Sequence, residues 1–317
     1  MKFLLGMALF TLAVSCGHEK RSATEVKRPV QVTAARMQDL VIEISRYAKT
    51  RKPGFLIVPQ NASKLVYEKG DPYSRRHAGY FDAIDAIGIE GLFYNGTLEP
   101  DSLRIAVLDT FARQKKVFIS DYVVNKADAP SALEMIRKHG FVPMVRTPEN
   151  FDYVRIPGKP APRGVRNIAE VTNYLYLING SRYADKQSFI EAVSGSGYQL
   201  AIIDLFFHGE AFTADEIAQM RKLPGGGQRI LLGYVNIGAA ENWRHYWKKD
   251  WKIGAPGFLH RPYHGYKDEA WVKFWDPAWK QILAGKPSSY VDMLIAAGFD
   301  GAYLDNVEAY LYLYSNE

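Results

Sequence analysis

Four carboxylates stand at the ends of apolar runs: Glu90 in AIGIEGLFY, Asp121 in VFISDY, Asp204 in LAIIDLFF and Asp305 in GFDGAYLDNVEAY. An ionised carboxylate bordered by such runs is expensive to bury unless it is paired or hydrogen-bonded. For any one of them a loop cap or an ion pair is an adequate explanation. Four together at strand ends point instead to the C-terminal rim of a parallel barrel, where the active sites of that architecture lie. Paired carboxylates on such a rim are the equipment of glycoside hydrolysis, one as nucleophile or base and the other as acid. The tryptophans add a second signal, because all six lie between Trp243 and Trp279. Flat indole faces stack on sugar rings, although the same four-residue spacing also packs a helix against a core. Trp243 and Trp247 follow the loop after a strand and are the two expected to face a ligand.

Other chemistries find less support. His260 and His264 are four apart, but Pro262 between them argues against a shared helical face. No metal site and no cofactor are expected. Gly195-Ser196-Gly197 lies in a polar loop and no nucleophile-elbow pattern exists, which argues against a serine hydrolase. Gly225-Gly226-Gly227 precedes a strand, so it is a turn and not a phosphate cradle. Asn61-Ala62-Ser63 and Asn95-Gly96-Thr97 match the N-glycosylation pattern by chance. A single cysteine excludes an internal disulfide and a thiolate zinc cluster. Forty basic against thirty-four acidic side chains give +6. Spread over 317 residues, that indicates an ordinary soluble surface and no nucleic-acid partner.

These residues need a scaffold. At 47% hydrophobic residues the chain is too apolar for disorder, and its length suits one barrel of roughly 250 residues. The expected strands are Phe55–Pro59, Ala86–Phe93, Lys116–Tyr122, Phe141–Val145, Tyr174–Ile178, Leu200–Phe206, Arg229–Val235, Val272–Trp275 and Gly301–Leu304. Several are continuously apolar, as parallel strands covered on both faces are. Amphipathic stretches at Ser131–Lys138, Ala214–Leu223 and Pro287–Ala297 lie between them. The alternation predicts an α/β fold, a (β/α)8 TIM barrel of parallel strands occupying residues 37–317. The Pro/Gly-rich run RIPGKPAPRGV (Arg155–Val165) marks a linker within about 148–168, joining two halves of that one barrel.

The N-terminus reads differently. MKFLLGMALFTLAVSC has one Lys, an apolar run too short to span a bilayer, and a small-residue site ending at Cys16. Residues 1–15 are expected to be a lipoprotein signal peptide, with Cys16 lipidated at the new N-terminus. Gly17–Arg36 is polar and basic without a sustained period and reads as a tether. The protein is therefore expected on the bacterial cell envelope, anchored outside the cytoplasm at Cys16, as a monomer.

Leu200–Phe206, GYVNIGAAENWRHYW (Gly233–Trp247), FWDPAW (Phe274–Trp279) and GFDGAYLDNVEAY (Gly298–Tyr310) together resemble glycoside hydrolase family 114. That family has a TIM-barrel fold and contains endo-α-1,4-polygalactosaminidases. The resemblance runs from about Met37 to the end, but in a shifted order. Family members continue from the Asp305-like motif through a helix into a strand like GFLIVPQN, then to one bearing a Glu like Glu90. Here Leu40–Thr50 reads as the rest of that helix, and GFLIVPQN (Gly54–Asn61) and AIGIEGLFY follow it. The resemblance thus implies a circular permutant. It also implies that Asp305 and Glu90 are the catalytic pair, and that Asp204, Glu241, Arg244, Asn61 and Tyr94 line the cleft, to which the strand-end Asp121, Trp243 and Trp247 are added. Asp305 is expected to be the ionised nucleophile. Glu90, set among Ile87, Ile89, Leu92 and Phe93, is expected to be the protonated acid. The partner implied is an amino-sugar polysaccharide. A non-catalytic carbohydrate-binding barrel is the alternative, and an envelope scaffold a third class.

Overall fold

The computed structural model describes residues 23–313, with side chains from residue 30. The expected signal peptide and Cys16 lie outside the described residues. Eight parallel strands form the frame among those described: β1 (Leu56–Pro59), β2 (Ala86–Leu98), β3 (Lys116–Val123), β4 (Val142–Arg146), β5 (Tyr174–Leu177), β6 (Leu200–Ile203), β7 (Ile230–Asn236) and β8 (Gly301–Asp305). They fall into a five-stranded sheet of order β1-β8-β7-β6-β5 and a three-stranded sheet of order β2-β3-β4. A parallel bridge between Gln60 and Gly88 links β1 to β2. On the other side, the Tyr176 N–H of β5 donates to the Met144 sulfur of β4 at 3.3 Å. The α/β class with parallel strands is as the alternation predicted; the ladders form two sheets and not one closed one.

The strand faces separate into two layers. Ile57, Ile87, Ile89, Val117, Ile119, Leu175, Ile203, Leu231 and Leu304 join the cluster that packs against the helices. The opposite face builds a second cluster to which every one of the eight strands contributes, including Val58, Ala86, Phe118, Met144, Tyr176, Ile202, Leu232 and Tyr303. Strand residues alternate between faces, so this division follows from the period of two. Gly88 is glycine for a steric reason: a Cβ there would overlap the hydroxyl end of Tyr303 in the inner layer.

The helices are α1 (Ala23–Arg51), α2 (Ala78–Ala83), α3 (Ser102–Ala112), α4 (Ala129–Lys138), α5 (Lys186–Ser194), α6 (Ala214–Arg221), α7 (Pro277–Leu283) and α8 (Tyr290–Ala297). No helix among the described residues is long and apolar enough to cross a membrane. Helix α1 corrects the expected tether, because it is helical from Ala23 through Arg36 and on to Arg51. Its buried stripe of Ala34, Met37, Val41, Ile44 and Ala48 is interleaved with polar residues that are also buried. Thr33 donates to the Tyr310 carbonyl (2.8 Å), Gln38 to the carbonyls of Leu65 and Tyr67 (2.7 Å each), and Ser45 to that of Ala83 (2.6 Å). Polar residues doing core duty hid the period. Thr33 thereby joins α1 to the turn after β8.

The strand expected over Val272–Trp275 is also corrected. The observed strand is Glu269–Val272, the middle of a small antiparallel sheet with Ala239–Glu241 and Leu259–Pro262. Asp276 caps the Ala278 N–H and Pro277 opens α7, so the chain has left extended geometry by then. Residues 155–165 form no regular element. They are tied down nonetheless, by Val165 N–H to the Gln228 carbonyl (3.1 Å) and by the Tyr198 hydroxyl to the Pro157 carbonyl.

Candidate active site

A cleft of about 880 Å³ opens at the C-terminal ends of the strands. It brings together Glu90 from β2, Asp204 from the end of β6, Glu241 and Glu269 from the antiparallel sheet, and Asp305 and Glu308 after β8. Arg104, Arg146 and Arg244 are its guanidiniums.

Glu90 sits where β2 departs from regular pairing with β3, the register shifting between Glu90 and Asn95. Its half-buried carboxylate accepts from Gln60 Nε2 (2.7 Å) and from the Tyr153 hydroxyl, with Arg146 Nη2 at 3.4 Å. Gln60 is itself held by the Tyr176 hydroxyl (2.9 Å). The apolar surroundings expected for Glu90 are absent, because alternation sends Ile87 and Ile89 to the opposite, helix-facing layer. A cation and two donors face it instead.

Asp305 has the contrary setting. The Tyr234 hydroxyl donates to Oδ2 (2.6 Å) and the Asn306 N–H to Oδ1 (2.7 Å). Burial, and then the carboxylates of Glu308 and Glu90, push its carboxyl well above the ordinary range. Glu308 is pushed up in the same direction, by burial first. Glu269 lies directly across the ladder from Glu241 and is raised to about 8 by burial, Glu241 and Asp305. Burial and the neighbouring carboxylates thus favour the protonated form of Asp305, contrary to the ionised nucleophile expected, while Arg146 and two hydrogen-bond donors face Glu90.

Arg244 ties Asp204 and Glu241 together. Its Nη1 reaches both oxygens of Asp204 (2.8 and 2.7 Å) and the Tyr290 hydroxyl (3.1 Å), while Nε and Nη2 grip Glu241 (2.5 and 3.1 Å). All three residues line the cleft as expected, but the two carboxylates are already paired. Trp243, 54% exposed, lines it as well. Four expected lining residues do not. Trp247 packs edge-on against Trp251, and Tyr94 is buried. Asp121 is fully buried and accepts the backbone N–H groups of Leu92 (2.7 Å), Phe93 (3.1 Å) and Tyr94 (3.1 Å), fixing the irregular part of β2. Asn61 does not line the cleft either; it reaches the carboxylates from behind, accepting from the Glu90 N–H (3.0 Å) and donating to Glu308 (3.1 Å).

Sequence reasoning passed over Gln60, Arg146, Tyr153, Tyr234, Glu269 and Glu308. Arg146 ends β4 and Gln60 follows β1, so the strand-end rule applied to the carboxylates would have found both. Tyr153 had no such signal, since it lies in the stretch read as a linker and takes a left-handed backbone (φ 56°).

Comparison with known proteins fits this site. Residues 186–317 match the glycoside-hydrolase family GH114. The resemblance read from the sequence is borne out over that part of the chain. The GH114 segment holds Asp204, Glu241, Arg244, Glu269, Asp305 and Glu308, while Glu90, Gln60, Arg146 and Tyr153 come from outside it. An uncharacterized protein of Deinococcus radiodurans is 37% identical over 124 residues, covering 39% of this chain and 38% of its own. Another from Thermotoga maritima is 34% identical over 125 residues, 38% of this chain and 36% of its own. A third, from Methanocaldococcus jannaschii, is 30% identical over 164 residues, 48% of this chain and 44% of its own. The chain thus spans between 36% and 44% of the length of these curated relatives.

Proposed function

We propose that the chain is a glycoside hydrolase that cuts an α-linked amino-sugar polysaccharide of the galactosamine type, with Asp305 and Glu90 as its carboxylate pair. The observation that carries this reading is their convergence in one cleft in contrasting surroundings. Asp305 gives its proton to the departing oxygen as the C1–O bond breaks and the bonding electrons move onto that oxygen. Glu90, held by Arg146 and Gln60, supplies negative charge to the oxocarbenium-like carbon, as nucleophile or as base toward water. Seven carboxylates against three guanidiniums line the cleft of a chain whose overall charge is +6, which favours a cationic polymer.

The test is turnover of α-1,4-linked galactosamine polymers, with and without N-acetyl groups. Wild type is expected to prefer the free amine. Asp305→Asn and Glu90→Gln should each keep less than about 1% of turnover, a loss of ~2.7 kcal/mol or more in transition-state stabilisation, while melting cooperatively. The exposed Trp243 favours one other reading, a non-catalytic carbohydrate-binding protein. It takes over if wild type cleaves neither polymer but binds one, with binding lost in Trp243→Ala.

We take the two parallel sheets as arcs of one (β/α)8 barrel, circularly permuted relative to the family. The inner cluster drawn from all eight strands, the Gln60–Gly88 bridge and the Tyr176–Met144 contact support the barrel. The N-terminal pattern supports a lipid anchor at Cys16 on the cell envelope. Cys16→Ser should move the protein from the membrane fraction to the soluble one, and a variant that stays membrane-bound sinks the anchor.

A further inference from the structure

Asp305 and Glu308 are separated by a tight turn. Asn306 adopts a left-handed backbone (φ 54°), and Val307–Leu311 form a short 3-10 helix that brings the Glu308 carboxyl back to the cleft wall beside Asp305. One Glu308 oxygen accepts from Asn61; the other is buried without a hydrogen-bond partner. A charged carboxylate with a bare buried oxygen, next to two more carboxylates, is a costly arrangement. Asn61 is equally specific. Its backbone is left-handed (φ 54°), its N–H donates to the Gly88 carbonyl (2.8 Å), and its side chain joins the Glu90 N–H to Glu308. Sequence reading offered Asn61 as a cleft-lining group, but its side chain instead ties the Glu90 backbone N–H to the Glu308 carboxylate.

We propose that Glu308 and Asn61 are positioning residues: Glu308 keeps a proton on the Asp305 carboxyl between turnovers, and Asn61 fixes Glu308 against the Glu90 strand. The inference rests on the hydrolase reading for its consequence in turnover. The groups facing Asp305 are Glu308 from its own turn, Glu90 from β2, Tyr234 from β7, and Glu269 and Tyr263 from the antiparallel sheet. Tyr176 and Tyr303 approach from the inner layer. Facing Glu308 are Glu90, Arg104 and Tyr310. Whichever of Asp305 and Glu308 ionises first opposes ionisation of the other, so a proton stays with the pair near neutrality. Asp305 passes that proton to the leaving oxygen, and the water that completes hydrolysis returns one to the site. Glu308 is not consumed.

Glu308→Gln preserves shape and an acceptor for Asn61 but removes the charge. Removing an anionic neighbour lowers the pH at which Asp305 loses its proton, so the alkaline limb of kcat/KM should move down by about one unit. Activity near pH 7.5 should fall ~10-fold, with the loss shrinking toward acid pH. Asn61→Ala should lower kcat more than it changes KM. A folded Glu308→Gln with an unmoved limb would mean a merely structural role and overturns the proposal. So does a loss at every pH equal to that of Asp305→Asn, which would make Glu308 the acid itself. Infrared difference spectra of wild type against Asp305→Asn provide a measurement that needs neither turnover nor the Glu308 variant. A protonated-carboxyl band at pH 7 that disappears with Asp305 is expected, and its absence overturns the proposal. If wild type cleaves no amino-sugar polymer, the hydrolase reading fails, while the infrared band still decides the state of the pair.

Discussion

Glu269 shows how the price of a functional cleft is set at a single residue. It faces Glu241 across the ladder, and Arg244 already serves Glu241 and Asp204. The result is a carboxyl raised to about 8, by burial before anything else. A carboxyl raised in the folded state favours folding fully below its unfolded value of about 4.3, and that contribution is lost as pH climbs toward 8. Glu269→Gln cannot ionise. Its melting temperature should therefore stay close to that of wild type near pH 4.5 and exceed it by ~2 °C or more at pH 8.5. Melting curves across that range check the slope, and a difference that does not change with pH counts against the arrangement. The other residue-level surprise has the same root. Whether a strand-end carboxylate is a clamp like Asp121 or a cleft group like Asp305 depends on which N–H groups lie opposite, and one strand's sequence does not contain its neighbour.

At the scale of elements, the parallel strands were legible because each is a short apolar run bounded by turn residues. Eight of the nine expected runs overlap observed parallel strands. The ninth failed because Trp271 is buried on a short antiparallel strand that ends at Val272, while Trp275 lies beyond it, just before the Asp276-Pro277 start of α7. Helix α1 was half legible. Its last turns showed the expected apolar spacing, but Thr33, Gln38 and Ser45 interrupt the stripe and count as exposed until their carbonyl partners are known. The tryptophan cluster divides for a similar reason. Trp271 and Trp279 are core, Trp247, Trp251 and Trp275 are partly buried against it, and Trp243 alone among the six lines the cleft. Residue type announced large apolar area; only packing decided which rings were spent on it.

At the scale of the whole molecule, the order of the strands carries the remaining prediction. β1 pairs with β8 over Leu56–Gly301 to Pro59–Leu304, and Thr33 of α1 bonds to Tyr310. Segments far apart in sequence are thus neighbours, while Glu90 and Asp305 reach one cleft from opposite parts of the chain. If the permuted reading is right, the connection through residues 155–165 is an accident of where this chain was opened, and nothing in the site requires it to be continuous. A variant that begins at Gly164, runs to Leu313, crosses a six-residue Gly/Ser linker to Val30 and ends at Gly158 would restore the order that the resemblance gives the family. Such a linker reaches roughly 13 Å, which suits ends three residues either side of the Thr33–Tyr310 bond. Tyr153, Arg146 and Gln60 remain in one piece with Glu90, and the GH114 segment leads the chain intact. The expected outcome is cooperative melting within a few degrees of a parent spanning residues 30–317, with cleavage of the same polymer lost on Asp305→Asn. Surface termini and covalent connections far from a core are exchanged at little cost when the contacts they join are already made. A rearranged chain that stays insoluble, beside a parent that folds, would show that the Pro-rich connection is part of the fold and would end the permuted reading.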